Sequence, residues 1–140
     1  LDAYCEYNKS RLSSSGVPAS SMPASHHAAT EANSSIRTAK LKMHDAYDSL
    51  LKFVHENKDF PDLVRSEYRY DAAEAVTSCV AAVQDLLSNS GVRAIHQGNT
   101  INEFSQDMQA FRQHAANQPY ALDANLGAVL FGESNSDHFS

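Results

Sequence analysis

Apolar residues recur along most of this chain at steps of three and four, which is the spacing of one face of an α-helix. In the stretch from Ser25 to about Lys58, these positions are Ile36, Ala39, Met43, Tyr47, Leu50 and Val54. In the stretch from about Asp62 to Asn89, they are Val64, Tyr68, Ala72, Val76, Val80, Val83 and Leu87. No alternation typical of a β-strand competes with this pattern, so we expect an all-α protein with two long helices at its centre.

Shorter helices are predicted on both sides of these two. Leu1 to about Leu12 has the character of the end of a helix that begins upstream, and Ser13 to Ala24 is a loop rich in Ser and Pro. A fourth helix has a predicted buried stripe at Ile101, Phe104, Met108, Phe111 and Ala115. Pro119 is expected to end it, and a short helix from about Ala121 to Phe131 precedes a polar tail.

Several residues suit the ends of the predicted helices. Asp62 can cap the third helix, because its carboxylate can accept from free backbone N–H groups. Gly91 suits a left-handed helix end after that helix. The fourth helix is capped by Asn99 or Thr100, and Glu103 is placed for a capping box from Thr100.

The number and length of the helices indicate the architecture. Three or four long helices with short connections predict an antiparallel up-and-down four-helix bundle. A chain of 140 residues suits one domain with a core of its own. We therefore expect residues 1–140 to form a single helical-bundle domain.

The composition indicates which kinds of partner this protein is expected to lack. The chain has 17 acidic and 11 basic side chains, for a formal net charge of −6. The Lys and Arg residues are scattered, whereas nucleic-acid-binding proteins usually cluster them, so nucleic acid is not an expected partner. No apolar run approaches the roughly 20 residues needed to span a bilayer. We expect a cytoplasmic protein that does not interact with membranes.

Neither a metal site nor a reactive cysteine is predicted. A di-iron bundle needs Glu-x-x-His pairs that project inward, and no histidine here has Glu or Asp three residues before it. Cys79 lies in an apolar run and is expected to be a small core residue. Cys5 has no clustered partner in the sequence that would suggest a ligand set or a nucleophile.

Of the seven histidines, His114 is the strongest candidate for chemistry. It lies at the end of the fourth predicted helix, in the segment Phe-Arg-Gln-His-Ala-Ala-Asn-Gln-Pro. An imidazole can change its protonation near neutral pH, which suits proton transfer to or from a reacting oxygen. Periodicity by itself favours an ordinary histidine at a helix end, and the other six histidines are expected to be surface residues.

The segment from Gly91 to Gly132 carries a specific pattern. It reads Gly91, Ala94, Ile95, then the turn Gly98, Asn99, Thr100, then Ile101, Asp107 and, seven residues later, His114. It closes on Ala-Val-Leu-Phe-Gly. In this pattern the chain resembles the C-terminal domain of two-component flavin-dependent monooxygenases of the acyl-CoA dehydrogenase fold. Members of this group are 4-hydroxyphenylacetate hydroxylases, dibenzothiophene monooxygenases and nitrososynthase-type amine oxygenases.

The resemblance implies that this chain is the C-terminal part of a larger flavoenzyme. The implied reaction is hydroxylation or oxygenation of a small organic substrate by O₂ and a reduced flavin, FADH₂ or FMNH₂. A separate flavin reductase supplies the reduced flavin, and the bundles pack together in a homotetramer. The resemblance implies that His114 is the catalytic residue beside the flavin ring. Asp107 and Arg112 are our candidate cofactor-binding residues: Asp107 would orient the end of the helix, and Arg112 remains as a local cation, with an ordinary surface arginine as the preferred alternative.

The chain departs from the family pattern at three positions. Glu103 and Gln106 stand where the family has two arginines, and Thr100 stands where proline is common. Losing two guanidinium groups removes bidentate partners for carboxylates or phosphates. Contacts to the flavin phosphate or between subunits must then differ, or this copy is inactive.

Two other functions remain open. The first is an acyl-CoA dehydrogenase-type oxidoreductase, whose catalytic Glu would lie near Ala115. No Glu occurs between Glu103 and Glu133, and without a carboxylate base the abstraction of an α-proton loses its simplest agent, so oxygenation is favoured. The second is a non-catalytic helical oligomerisation domain, which the two missing arginines keep open.

Overall fold

In the computed structural model, residues 1–114, 117 and 119–137 are described, and they form five α-helices and two short 3₁₀ turns. The helices are α1 (Asp2–Ser10), α2 (Pro23–Glu56), α3 (Asp62–Ser88), α4 (Thr100–Arg112) and α5 (Pro119–Leu130). The 3₁₀ turns are Ala19–Ser21 and Val92–Ile95. These residues contain no β-strand, and none of their helices is both long and apolar enough to cross a membrane. The predicted all-α class is confirmed.

Helix α3 is the centre of the bundle. It packs against α2, α4 and α5, while α1 packs against α2 and α4. The connection between α2 and α3 is short, as expected for antiparallel neighbours. α4 contacts the second half of α3, where Ile101 lies in one cluster with Leu86, and α5 contacts the first half, where Asn125 bonds to Ser66. The antiparallel bundle expected from the sequence is confirmed.

A buried apolar cluster lies where α1 meets the other helices. Its members come from α1, the start of α2, the end of α3 and the start of α4, and are Tyr4, Ala28, Ala32, Ala82, Leu86 and Ile101. The small alanines on α2 and α3 let these two helices approach closely, while the larger side chains lie between α1, α3 and α4. The hydroxyl of Tyr4 also donates to the carbonyl of Ser25, 3.5 Å away, which ties α1 to α2.

Two predicted features at the ends of α3 are wrong. Asp62 is the first residue of α3 and not its cap, since Pro61 holds the cap position and no side chain bonds there. The Asp62 carboxylate lies in the first turn, where the helix dipole favours a negative charge. At the other end, α3 finishes at Ser88 with Asn89 still right-handed. Gly91 has a positive φ of 76°, but its ψ of 170° is extended and not left-handed helical.

The bounds of α4 also differ from the prediction. Asn99 caps the helix, because its Oδ1 accepts from the Ile101 N–H at 3.0 Å. The capping box from Thr100 is wrong, since Thr100 already lies inside the helix and the Glu103 N–H donates to the Asn99 carbonyl. α4 ends at Arg112, well before Pro119, which instead begins α5.

The predicted apolar stripes are only partly buried. Tyr47 and Val54 of α2 are exposed, and on α4 Phe104 and Phe111 are 54% and 55% exposed. None of the described helices covers these four side chains fully, although they share a helix face with buried ones. Ala115, which completed the predicted stripe of α4, lies outside the described residues. The burial expected at these four positions is therefore wrong for this chain.

The end of α1 is fixed to the turn that follows α3. Arg11 donates from Nε and Nη2 to Oδ1 of Asn8, at 3.1 and 2.9 Å, and from Nη2 to the carbonyl of Asn89 at 2.9 Å. Asn8 is buried and in turn donates to the Tyr4 carbonyl. Gly91 lies directly against this guanidinium, because a Cβ built on it would be 2.9 Å from Arg11 Nη1. A side chain at position 91 would therefore displace this guanidinium.

Substituting Gly91 by alanine should lower the free energy of unfolding by about 1–3 kcal/mol, because the backbone there (φ 76°, ψ 170°) is almost restricted to glycine. The matched control is Gly127→Ala in α5, where nothing lies within 4 Å of the new Cβ. That change should be neutral or slightly stabilising, because alanine is the better helix former. Urea unfolding of both variants checks the prediction, and equal midpoints would contradict it.

The segment after α5 is held against the bundle by a polar network. Asn125 of α5 is buried, donates from Nδ2 to Ser66 Oγ of α3 at 3.1 Å, and accepts from the Ser136 N–H at 2.7 Å. Arg69 Nε lies 2.9 Å from Asp137 Oδ2, and both side chains are largely buried. The sequence predicted only a polar tail after α5, so the packing of residues up to 137 is a tertiary feature.

Candidate functional site

His114 lies just beyond the C-terminal end of α4. α4 ends at Arg112, Gln113 follows as its C-cap, and His114 begins the next turn with its side chain exposed. Its backbone is held on both sides: the His114 N–H donates to the Phe111 carbonyl at 3.1 Å, and the Asn117 N–H donates to the His114 carbonyl at 2.9 Å. The predicted position at the end of this helix is confirmed, while its role in chemistry remains a prediction.

Three exposed side chains of different chemistry are carried by this end of α4 and the turn after it. Phe111 offers an aromatic surface, Arg112 a permanent cation and His114 an imidazole. They follow one another within four positions of the chain, so the end of one helix presents all three. Such a set can contact a planar aromatic ligand, attract an anionic group and transfer a proton.

The other predicted site residues lie earlier on α4. Asp107 is exposed and one to two turns before the end of the helix. Glu103 and Gln106, two of the positions at which the sequence departs from the expected pattern, are also exposed. The accessible surface of α4 therefore carries carboxylate and amide groups at these positions. Arg112 is the only basic residue within α4 as the structure describes it.

An apolar cavity of 250 Å³ lies between α1, α2, α3 and α4. Its walls are contributed by all four helices and include Leu1, Ile36, Cys79, Val83, Phe104 and Met108. Phe104, which is 54% exposed, is part of its wall, so α4 contributes an exposed apolar side chain to this cavity. Ile36, Cys79, Val83 and Met108, which the sequence pattern predicted as core, are partly buried here, whereas Phe104 is exposed.

Cys79 lines this cavity and is half-buried. Burial raises the pKa of its thiol, and the nearby Glu74 carboxylate raises it further. The thiol form is thus favoured, which does not suit a nucleophile or a metal ligand. Among the described residues, no group of three or more His, Cys, Asp or Glu side chains is arranged to hold a metal ion.

One residue at this end of α4 was missed in the sequence. Asn117 is 9% exposed, and its side chain donates from Nδ2 to the Phe111 carbonyl at 2.9 Å. Asn side chains often bond to nearby backbone groups at the ends of helices, so an Asn soon after the helix end was the available signal. The sequence could not show which carbonyl it would reach, because the turn geometry decides that.

Residues 1–119 of this chain match a known protein family, which is described as acyl-CoA dehydrogenase, C-terminal domain. This match covers most of the chain, and the chain belongs to that family. The resemblance expected from the spacing of Asp107 and His114 is thereby confirmed at the level of family and fold.

The relatives are flavin-dependent monooxygenases. The chain is 26% identical over 133 residues to a protein of Rhodococcus jostii (strain RHA1) named flavin-dependent monooxygenase, oxygenase subunit HsaA. That alignment covers 94% of this chain but 35% of the relative. The HsaA monooxygenase from M. tuberculosis superimposes with a TM-score of 0.83 at 25% identity, covering 96% of this chain and 35% of that one.

The chain also shares its fold with a solved structure of low sequence identity. XiaF from Streptomyces sp., solved in complex with FADH₂ and glycerol, superimposes with a TM-score of 0.89 at 17% identity. The superposition covers 97% of this chain and 35% of XiaF. The chain therefore spans about a third of the length of each of these relatives.

Proposed function

We propose that this chain is the C-terminal part of a flavin-dependent monooxygenase that oxygenates a small organic substrate with O₂ and a reduced flavin. The observation that carries the proposal is the similarity to the Rhodococcus monooxygenase subunit over 94% of the chain, combined with an exposed imidazole at the end of α4. We further propose that residues 1–140 act as one helical domain beside others that complete the site.

The residues at the end of α4 fit a flavin. The exposed ring of Phe111 suits contact with a planar isoalloxazine, and the Arg112 guanidinium suits an anionic group such as a phosphate. His114 follows Arg112 by two residues, in the turn after the helix. When bound, a reduced flavin supplies the two electrons that let one atom of O₂ enter the substrate while the other leaves as water.

His114 has the central role in this proposal. Its ring can hold a proton on a nitrogen and give it to a developing oxyanion, or accept one from the substrate. A pre-placed donor also stabilises negative charge as it develops, without the reorganisation that water would need. Asp107 contributes a negative charge on the same helix and helps to orient this end of α4.

The replacement of the two family arginines alters how anionic groups are held. Glu103 and Gln106 cannot act as bidentate cations, so Arg112 is the guanidinium on α4 available for the cofactor. Other parts of the protein would then contact the flavin phosphate in place of the two arginines. In this way the site would stay active without those two basic residues on α4.

The proposal includes partners. A separate flavin reductase would supply the reduced flavin in a cytoplasmic setting. The exposed apolar side chains of α2 and α4, such as Tyr47 and Phe104, suit contact between copies of the bundle in a homotetramer. A substrate with an apolar body would suit the uncovered surface beside the cavity.

The second candidate is an acyl-CoA dehydrogenase-type reaction, which the name of the matching family favours. The chain has no Glu between Glu103 and Glu133, so it offers no glutamate base near position 115. An anaerobic mixture with an acyl-CoA would distinguish the two, since a dehydrogenase reduces its bound oxidised flavin with no reductase present.

The test uses the native protein that carries this chain. Anaerobically reduced FAD and FMN are added, binding is followed by absorbance, and ¹⁸O₂ is admitted with a panel of phenols and organosulfur probes. We expect tight binding of the reduced form of one flavin and incorporation of one ¹⁸O atom into a probe per reduced flavin consumed. Reduction of bound flavin by butyryl-CoA, with no ¹⁸O transfer, would overturn the proposal in favour of the dehydrogenase.

A further inference from the structure

We infer that Asn117 is the residue that positions His114, by fastening the turn that carries this histidine to the last carbonyl groups of α4. The inference rests on the proposed function of His114. It assigns Asn117 a positioning role, because its polar atoms bond to the backbone of α4 and of the turn.

The geometry is a closed set of three hydrogen bonds. The Asn117 side chain donates from Nδ2 to the Phe111 carbonyl at 2.9 Å, and the Asn117 N–H donates to the His114 carbonyl at 2.9 Å. The His114 N–H also donates to the Phe111 carbonyl, at 3.1 Å. One carbonyl of the last helical turn thus accepts both from the histidine and from the asparagine that follows it.

Burial distinguishes Asn117 from its surroundings. Phe111, Arg112, Gln113 and His114 are all exposed, whereas Asn117 is buried. The final carbonyls of a helix lack intrahelical donors and need partners from elsewhere. The buried Asn117 amide is bonded to this end of α4, and its own N–H is bonded to the His114 carbonyl, so it restrains the backbone on which the exposed His114 side chain is mounted.

Precision of position matters for a proton-transferring group. A displacement of about 1 Å can lower a reaction rate on the order of a hundredfold. Without the Asn117 amide, the turn keeps its sequence but loses the bond that fixes its path relative to α4. The effect should therefore fall on oxygen transfer through His114 and not on the affinity for reduced flavin.

The test variant is Asn117→Asp, which keeps the size of the side chain and removes the amide donor. The matched control is Asn89→Asp, because Asn89 makes the same kind of bond at the end of α3, from Nδ2 to the Asp85 carbonyl at 2.9 Å. Both substitutions place a new carboxylate at a helix C-terminus, so they share any effect of charge on the helix dipole.

Two measurements are made on the native protein. In Asn117→Asp, amide hydrogen exchange in residues 111–117 should become about tenfold faster, since it reports opening of this turn. Coupled oxygenation should fall about tenfold with the dissociation constant of reduced flavin unchanged. Asn89→Asp should leave both quantities as in the unmodified protein. Unchanged exchange in Asn117→Asp, or equal effects in the two variants, would overturn the inference.

A double substitution shows whether Asn117 acts through His114. If it does, adding Asn117→Asp to His114→Ala should cause no further loss of oxygenation. A further tenfold loss would mean that Asn117 acts independently, and would overturn the positioning role. If His114→Ala alone changes nothing, the proposed role of His114 fails, a result that differs from unchanged hydrogen exchange in Asn117→Asp.

Discussion

Replacing His114 by alanine should lower the rate of coupled oxygenation by roughly a hundredfold or more, because a positioned acid–base group typically contributes a factor of about 10²–10⁴. The imidazole lies just past the end of α4 and is exposed, so the change removes a reactive group without creating a hole in the core. Reduced flavin should still bind, and O₂ should be consumed with release of hydrogen peroxide in place of product.

The control for this result is His96→Ala. His96 is also exposed and follows a short helical turn, but it precedes α4 whereas His114 follows it. With about 1.5 Å of rise per residue, the 13 residues of α4 separate the two histidines by roughly 20 Å. Full coupling in the His114 variant, measured as product per reduced flavin consumed, would remove the basis for assigning it a role in the reaction.

Leu86→Ala should lower the free energy of unfolding by about 2–5 kcal/mol, the range for a leucine lost from a core. Leu86 is 3% exposed and belongs to the cluster in which α1 contacts the ends of α2, α3 and α4. It also forms part of the wall of the 250 Å³ cavity, so truncation would enlarge a space that is already incompletely filled. Urea unfolding measures the change.

The comparison variant is Leu41→Ala on α2, which removes the same atoms from a side chain that is 66% exposed. Substitutions at exposed positions usually change stability by less than about 0.5 kcal/mol. The two leucine variants therefore differ in burial and not in chemistry. Similar unfolding midpoints for both would show that the cluster around Leu86 is not the stabilising core of the bundle.

The candidate site was only partly visible in the sequence. The spacing of Asp107 and His114 indicated the family, and the match over residues 1–119 confirmed it. The same stretch predicted a buried Phe111, which is instead exposed beside His114. Periodicity identifies which side chains share one face of a helix, but it cannot show whether anything covers that face.

The helix ends show a similar limit. Asn99 was one of two predicted caps for α4 and is the one that bonds, whereas Asp62 proved to be the first helical residue. Both residue types are common at helix starts, and a shift of one residue along the chain separates a cap from a first-turn position. The local sequence predicts approximately where a helix begins, and the packing of the helix determines which residue becomes its cap.

The sequence by itself determined the all-α class, the two long central helices and the place of His114 at the end of α4. These features depend on local periodicity and on spacing along one helix, and both can be read directly from the order of the residues. Only the three-dimensional structure decided that Arg11 bonds to the turn before Gly91, that Asn125 holds the residues after α5, and that the Asn117 amide reaches the Phe111 carbonyl. The physical reason is that each of these bonds joins a side chain to a backbone group whose position depends on how the chain folds back on itself.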